Sequence, residues 1–272
     1  MTCWGDNEHG ELGLGHTDPV TGRMDVPGLP SITQVSVDDL HTVAVDEAGD
    51  VWFWGLWQGA GCAGREVRST PERVSGLDDV VRVTAGSRHS CALTASGRVW
   101  CWGCNSSGES GVESVAAYVD PPEQVLGLRG SVLEVDAGDR FTCALRDDLQ
   151  VLCWGADDRG QLGDGSAGGE RHVPVTVDVV SDVEEVSAGG RTACARRLDD
   201  SVLCWGDNEW GQIGASAAGD MTATPLAVEH LPDAEELSVG RRGVCARRTS
   251  GQVSCWGGAP GRWPSYPLTG IY

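Results

Sequence analysis

Eight of the eleven cysteines stand in four pairs with one spacing of ten: Cys91/Cys101, Cys143/Cys153, Cys194/Cys204 and Cys245/Cys255. Between the members of each pair lies a short turn such as Ala95-Ser96-Gly97. A hairpin turning midway sets positions ten apart opposite each other on one face. Facing Cα atoms there lie about 4.5 Å apart, within reach of a disulfide. A fifth copy of the segment replaces both cysteines together, by Val43 and Phe53, and no copy keeps one alone. Such joint replacement favours bridges over eight buried free thiols. Each bridge would contribute about 2–3 kcal/mol by the loop-entropy model, and their number points to an oxidising compartment. Cys3 has no partner in this pattern, and a bridge between Cys62 and Cys104 stays open. Cys101-Trp102-Gly103-Cys104 has the spacing of a redox motif. That chemistry activates a thiol at a helix N-terminus, whereas this motif ends a strand, with Cys101 already engaged.

A second pattern is cationic. Two residues after a recurring glycine stands an arginine in four copies, Arg88, Arg140, Arg191 and Arg242, with Leu40 in the fifth. Arginine forks bind carboxylates and phosphates bidentately. If the copies are arranged around an axis, these side chains converge on one face and form a site for an anion or an acidic partner. His41, His89, Phe141 and Thr192, which follow them, would complete it. The competing structural reading has the arginines paired with neighbouring aspartates or stacked on tryptophans. Trp57 and Trp210, in Gly-rich loops, are candidate aromatic anchors for a partner.

Other constellations are weaker. Two stretches, 59–64 and 163–168, match G-x-G-x-x-G, but no helix or βαβ unit follows to make a dinucleotide site. Asp157, Asp158 and Asp164 lack the ligand spacing of a calcium loop and read as a solvated turn. The six histidines have no zinc-ligand spacing beside cysteines, and no nucleophile elbow G-x-S-x-G occurs. Asn105-Ser106-Ser107 is a glycosylation sequon, meaningful only in a eukaryotic secreted protein. No catalytic residue, metal ligand or cofactor is expected, and the chain does not read as an enzyme.

These residues are positioned by a repeat. VTAGSRHSCALTASGRVWCWG (83–103) returns at 135–155, 186–206 and 237–257, and in degenerate form at 35–55. The Trp-Gly pairs at Trp4, Trp54, Trp102, Trp154, Trp205 and Trp256 are spaced by 50, 48, 52, 51 and 51 residues. After each comes a Gly-rich loop, as in Asp157 with Gly160-Gln161-Leu162-Gly163, and then a proline-marked strand such as Pro174–Val177. Short alternating apolar segments and Gly-containing turns predict strands, and four antiparallel strands per unit of roughly 50 residues predict a propeller blade. The fold class is therefore all-β, a β-propeller. Five complete repeats carry partial N- and C-terminal ones, giving six or seven blades if the ring is closed or completed. The tail keeps one strand near Pro267-Leu268. Closure would require the first and last fragments to share a blade, two of whose strands are absent. Residues 1–272 are thus expected to be one domain, truncated at the N-terminus or open.

Composition narrows the partners. Forty acidic residues face twenty basic ones, a net charge of −20, and no residue is lysine. Such a surface repels phosphate backbones and anionic lipid, so nucleic acid is not an expected partner. No apolar run reaches the length of a membrane span, so no membrane insertion is expected. MTCWGDNEHG lacks the basic and apolar regions of a secretion signal, which conflicts with the disulfides unless residues preceding it are missing.

The run Cys-Trp-Gly-x-Asn-x-x-Gly-Gln-Leu-Gly, then Pro-x-x-Val, then Val-x-Ala-Gly-x-x-His-Ser-Cys-Ala-Leu resembles the regulator of chromosome condensation repeat family, which includes a bacterial beta-lactamase-inhibitory propeller protein. The resemblance covers nearly the whole chain. It implies a propeller, normally seven-bladed, that binds proteins through loops on one face, the Gly-x-x-His loop (here Ser87–His89) among them. Eukaryotic members exchange guanine nucleotide on a small GTPase and dock on chromatin. This chain departs from them in its acidity, its lack of a basic tail and its paired cysteines, and in those respects resembles secreted or cell-surface bacterial repeats. Fold alone does not fix function. The reading is a monomeric, non-enzymatic protein-binding module, extracellular or on the cell surface, with a partner of unknown identity carrying an acidic patch. A cytoplasmic exchange-factor-like regulator of a small GTPase and an inhibitor of a secreted enzyme are the alternatives.

Overall fold

The computed structural model describes residues 1–57, 62, 66–112, 114, 116–216, 219–258 and 266–268. Segments of about six alternating residues cannot bury an apolar face alone, and they pair as antiparallel strands. β1 (Thr2–Gly5) and β2 (Val20–Asp25) form a two-stranded sheet. Blade I comprises β3 (Ile32–Val37), β4 (His41–Asp46), β5 (Val51–Trp57) and β6 (Glu66–Arg73), and blade II comprises β7 (Val80–Ala85), β8 (His89–Thr94), β9 (Val99–Cys104) and β10 (Tyr118–Gln124). Blade III comprises β11 (Val132–Ala137), β12 (Phe141–Arg146), β13 (Val151–Ala156) and β14 (Glu170–Thr176). Blade IV comprises β15 (Val183–Gly189), β16 (Thr192–Arg197), β17 (Val202–Asp207) and β18 (Met221–Ala227). Blade V comprises β19 (Ala234–Val239), β20 (Gly243–Arg248), β21 (Val253–Gly257) and β22 (Tyr266–Leu268).

Each blade orders its strands as in the sequence, innermost first, and no α-helix occurs among the described residues. All five inner strands line one axial cavity of about 750 Å³, as radial repetition requires. The chain ends do not share a sheet: β22 pairs with β21 in blade V, and β1 and β2 pair with each other. Proline falls on the outermost strands, at Pro71, Pro122, Pro174 and Pro225, where a missing ladder donor costs least.

The paired cysteines are register partners across the hairpins. Cys91 faces Cys101 on β8–β9, Cys143 faces Cys153 on β12–β13, Cys194 faces Cys204 on β16–β17, and Cys245 faces Cys255 on β20–β21. All four pairs are bridged, with Cα–Cα separations of 4.1 Å, closer than the about 4.5 Å of an unbridged facing pair. The four bridges are not equally shielded, as identical spacing alone would suggest. Cys91, Cys101, Cys143, Cys153, Cys194 and Cys204 are fully buried, whereas Cys245 and Cys255 in blade V are half-buried. The six buried cysteines act as staples inside the blades and are not part of a surface site. Val43 and Phe53 occupy the same cross-strand position in blade I. There His41 stacks on Phe53 at 5.1 Å, and Phe53 meets Trp57 edge-on at 4.8 Å, so aromatic packing takes the place of the bridge. Cys62 bridges to Cys104, with Cα atoms 5.4 Å apart, which leaves Cys3 as the free thiol.

The core lies between blades. One cluster joins Phe141 and Leu145 of blade III to Val183, Val186 and Trp205 of blade IV. In blades II to V, N–H groups of the inner strand that no ladder pairs are capped by side chains of the blade before. Gln34 accepts from Val83 N (2.7 Å), Glu134 from Val186 N (2.8 Å) and Glu185 from Leu237 N (2.9 Å). One step along, Ser36, Thr84, Asp136 and Ser187 accept from Ala85, Ala137, Ala188 and Val239 in turn. Thus an edge that would otherwise invite a foreign strand is satisfied within the ring.

The Gly-rich loops complete the stitching. The indole N–H of Trp54 donates to Glu11 O at 2.8 Å, that of Trp154 to Glu109 O at 2.9 Å, that of Trp205 to Gln161 O at 3.0 Å and that of Trp256 to Gln212 O at 2.8 Å. Each carbonyl belongs to the preceding sheet's loop. Gly163, at φ +66°, lies so close to Trp205 that a Cβ would stand 2.8 Å from Nε1. Gly28 has φ +76° with no atom near its Cβ position. Gly28→Ala is therefore expected to cost only the left-handed backbone term, about 1–2 kcal/mol. Gly163→Ala adds overpacking and should cost about 2–5 kcal/mol; chemical denaturation of the two variants checks the difference.

Candidate protein-binding face

The arginine positions are set by the glycine of each Trp-Gly pair. Gly155 has φ +109°, and a Cβ on it would lie 2.5 Å from the carbonyl oxygen of Arg140 and 2.7 Å from Phe141 Cα. Without that Cβ, the loop from inner to second strand lies against the third strand, and Ala156 N donates to Arg140 O at 2.8 Å. The same bond runs from Leu56 to Leu40, from Cys104 to Arg88, from Asp207 to Arg191 and from Gly258 to Arg242, at 2.7–2.9 Å. Every blade thus presents this residue at the same end of its sheet.

The side chains are held differently. Arg140 and Arg191, from neighbouring blades, share Asp158, at 3.4 Å and 3.1 Å, and Gln161 Nε2 donates to the same carboxylate at 3.0 Å. Burial works against ionisation of Asp158, but the Gln161 bond and the two guanidiniums outweigh it and hold its carboxyl below the ordinary range. Arg242 lies over the Trp210 ring at 4.4 Å, a cation–π contact. Arg88 is exposed and makes no ion pair among the described residues. Ion pairing and stacking, the alternative read from sequence, therefore account for three of the four arginines without removing them from the surface.

Leu40 is half-buried at the equivalent position in blade I. Two charges that the motif does not mark join the face: Arg241 pairs with Asp39 at 2.6 Å, linking blade V to blade I. The doubled arginine after Gly240 was the only sequence signal for it. Burial and the charges of Asp39 and Asp139 push Asp38 beside it up to about 6, with Arg241 opposing.

His41, His89, Phe141 and Thr192 do not complete the face. All four are buried between blades, at 0–3% exposure, because the second strand begins there and turns their side chains inward. His41 Nε2 bonds Ser90 Oγ at 2.8 Å. Thr142 spends its hydroxyl proton on Glu109 O at 2.9 Å, so the 2.8 Å contact is donated by His89 Nε2–H to Thr142 Oγ1. Trp57 is likewise buried, with Arg68 stacked on it at 4.0 Å, and is no exposed anchor. Trp210 is half-buried. Asn105 is 1% exposed, its amide donating to Ser114 O and Ala116 O, so the sequon offers no free acceptor. Asp157 is fully buried, contrary to the solvated turn expected for it. The stretch 163–168 is a loop, as expected, while 59–64 lies outside the described residues except Cys62.

Burial lowers His41 to about 4, and burial together with the charge of His41 lowers His89 to about 3. The native state keeps both neutral, whereas the unfolded chain takes up protons near pH 6.5. Their contribution is thus fully present above pH 6.5 and is lost as pH falls toward 4, by about 1.4 kcal/mol per pH unit for each histidine. Relative to a His41→Gln/His89→Gln variant, the wild type should lose its advantage over that window, read as converging denaturation midpoints.

Residues 1–262 match the family model described as the RCC1-like domain. The chain is 29% identical to the Arabidopsis thaliana RCC1 domain-containing protein RUG3, mitochondrial, covering 95% of this chain and 61% of that protein. It is 34% identical to the mouse regulator of chromosome condensation over 77% of this chain and 39% of that protein. Its structure superposes on that of human WBSCR16 with a TM-score of 0.83 at 20% identity, covering 98% of this chain and 78% of that one. The chain thus spans about three fifths or less of the curated relatives described.

Proposed function

The chain belongs to the RCC1-like domain family, and on that premise we propose that it is a non-enzymatic protein-binding propeller, extracellular or on the cell surface. Its partner carries an acidic patch that docks on the arginine-bearing face. The observation that carries this reading is the setting of Arg88, Arg140, Arg191, Arg241 and Arg242 at one end of the sheets of a molecule of net charge −20. Arg88 is uncommitted, and the planar Arg242–Trp210 pair combines a cation with an apolar ring, the composition favoured at interface hot spots. Arg140 and Arg191, bridged by one carboxylate, would exchange that partner for a carboxylate of the bound protein. Five disulfides support an oxidising location.

A second reading, an exchange-factor-like regulator of a small GTPase, draws on the 34% identity to the mouse regulator. It requires a reduced cytoplasm, where such bridges do not persist. Intact mass of native protein alkylated without reduction separates the two readings. One alkylated thiol, Cys3, is expected for the extracellular protein, whereas eleven would favour the cytoplasmic regulator, to be followed by a nucleotide-release assay. For the face itself, binding of a poly-glutamate peptide is expected to weaken with salt and to fall at least tenfold in Arg88→Ala/Arg242→Ala. Unchanged binding would remove the face from the proposal.

A further inference from the structure

The Gly-rich loop is pinned in three sheets by an asparagine three residues after the tryptophan. Asn7 Oδ1 accepts from Leu12 N at 3.0 Å, and its Nδ2 donates to the carbonyls of His16 and Asp18, at 2.9 and 3.0 Å. Asn105 repeats this with Ser110 N at 3.1 Å and the carbonyls of Ser114 and Ala116, at 3.0 and 3.1 Å. Asn208 does so with Ile213 N at 2.9 Å and the carbonyl of Gly219 at 2.6 Å. In blade III the residue is Asp157.

Its setting is otherwise the same. Asp157 Oδ1 accepts from Leu162 N at 3.2 Å, and Asp157 N donates to Gly169 O at 3.1 Å, as Asn105 N does to Ala117 O and Asn208 N to Asp220 O. The remaining oxygen, Oδ2, therefore stands where the other loops place an NH₂ group that donates to the carbonyls nine and eleven residues on, here Ser166 and Gly168. It is buried, in a residue of 0% exposure, and no donor reaches it among the described residues. By equivalence with the asparagine loops, acceptor would face acceptor there, and a buried unsatisfied group costs about 1–3 kcal/mol, more when it is charged.

We propose that Asp157 is a proton-operated latch: as the carboxylic acid it donates Oδ2–H to the loop carbonyls and closes the loop 157–169, and as the carboxylate it releases them. A proton needs one acceptor and fits the 2.6–3.1 Å spacing of the amide it replaces, whereas a calcium ion needs six to eight oxygens. The charged neighbours are mixed. Asp158 and Asp164 favour the acid, while Arg171 at the start of β14 opposes it and is partly spent on Asp164 at 3.6 Å. Asp178 lies under Gly165, and across the blade boundary Arg159 reaches toward Asp207 at 3.9 Å, while the next blade meets the loop with Arg191, held on Asp158 at 3.1 Å, and with the uncharged Trp205 and Ala223. Burial, the main cause, raises Asp157 to about 6, with the Leu162 bond opposing. The next residue, Asp158, holds Arg140 and Arg191, so opening of the loop reaches the arginine face.

The sign is opposite to that of the histidines. A carboxyl raised in the folded state stabilises fully below its unfolded value and loses that contribution as pH rises through about 6. Asp157→Asn is therefore expected to match the wild type at about pH 4 and below, to pull ahead between about pH 4 and 6, and to melt about 2–4 °C or more above it at pH 7.5. At pH 7.5 the Gly168 and Gly169 amides should exchange faster in the wild type than in the variant. Asn105→Asp should create the same pH-dependent loss in blade II. Parallel melting profiles for wild type and Asp157→Asn from about pH 4 to 8 would overturn the proposal. So would restoration of the wild type at pH 7.5 by calcium chloride alone, which would assign the oxygen to a cation.

Discussion

One contact recurs in four of the five blades: an indole N–H, of Trp54, Trp154, Trp205 or Trp256, that reaches out of its own sheet to a loop carbonyl of the sheet before, while Trp102 of blade II finds no such partner among the described residues. Tryptophan suits this because its ring fills the wedge between two blades while its single donor sits at the far edge. The carbonyl can be met only if the loop comes within van der Waals range of the ring, and Gly111 and Gly163 have no Cβ there for that reason. The hairpin disulfides then fix the two strands that carry the tryptophan. Each blade is thereby made stable by its neighbour and not by itself, as expected of a one-dimensional repeat array.

The same dependence explains where the acidity goes. Inner strands have backbone N–H groups that no fifth strand pairs, and in blades II to V they are met by oxygen-bearing side chains from the preceding blade. Gln34, Ser36, Thr84 and Ser187 do this as neutral acceptors, while Glu134, Asp136 and Glu185 do it as carboxyls. Burial pushes Asp136 and Glu185 upward despite these bonds. Arg82 on Glu134 and Arg196 on Glu184 and Glu185 offset part of that burial cost. Arginine, with five donors in a fixed plane, can hold two carboxylates at once, as Arg196 does, which a lysine point charge does less well.

The fold was legible in the sequence because each of its constraints leaves a residue type at a fixed spacing: glycine at positive φ, proline on outer strands, cysteine opposite cysteine. The arginines were legible for the same reason, since the Trp-Gly glycine fixes the backbone that carries them. Their neighbours were not. His41, His89, Phe141 and Thr192 follow the arginines directly, yet in a strand successive side chains point to opposite sides, and the loop ends one residue earlier than adjacency suggested. The burial of Asp157 was hidden in a similar way, since an acidic residue in a Gly-rich loop reads as solvated, and nothing in the local sequence shows that the loop closes over it. The Arg241–Asp39 pair spans the sequence from blade V to blade I, and no local pattern encodes it.

Blade I breaks the symmetry of the face in a way that bears on how a partner could lie. Where blades II to V carry a glycine followed two residues later by arginine, blade I carries Asp38-Asp39-Leu40. Asp39 is already opposed by Arg241, and burial and acidic neighbours raise Asp38 to about 6, which leaves it charged at neutral pH. The positive arc is therefore interrupted, not circular, and its interruption is acidic. An acidic surface approaching along the axis would be repelled over blade I and attracted over blades II to V, and like charges brought together cost several kcal/mol at an interface. The proposed acidic partner would thus be steered to an off-axis footprint on the arginine-bearing blades. Within them, Arg88 makes no ion pair that such a partner would have to break, whereas Arg140 and Arg191 are held on Asp158 at 3.4 and 3.1 Å. That shared carboxylate would set a threshold that a weakly charged competitor would lack the electrostatic energy to cross.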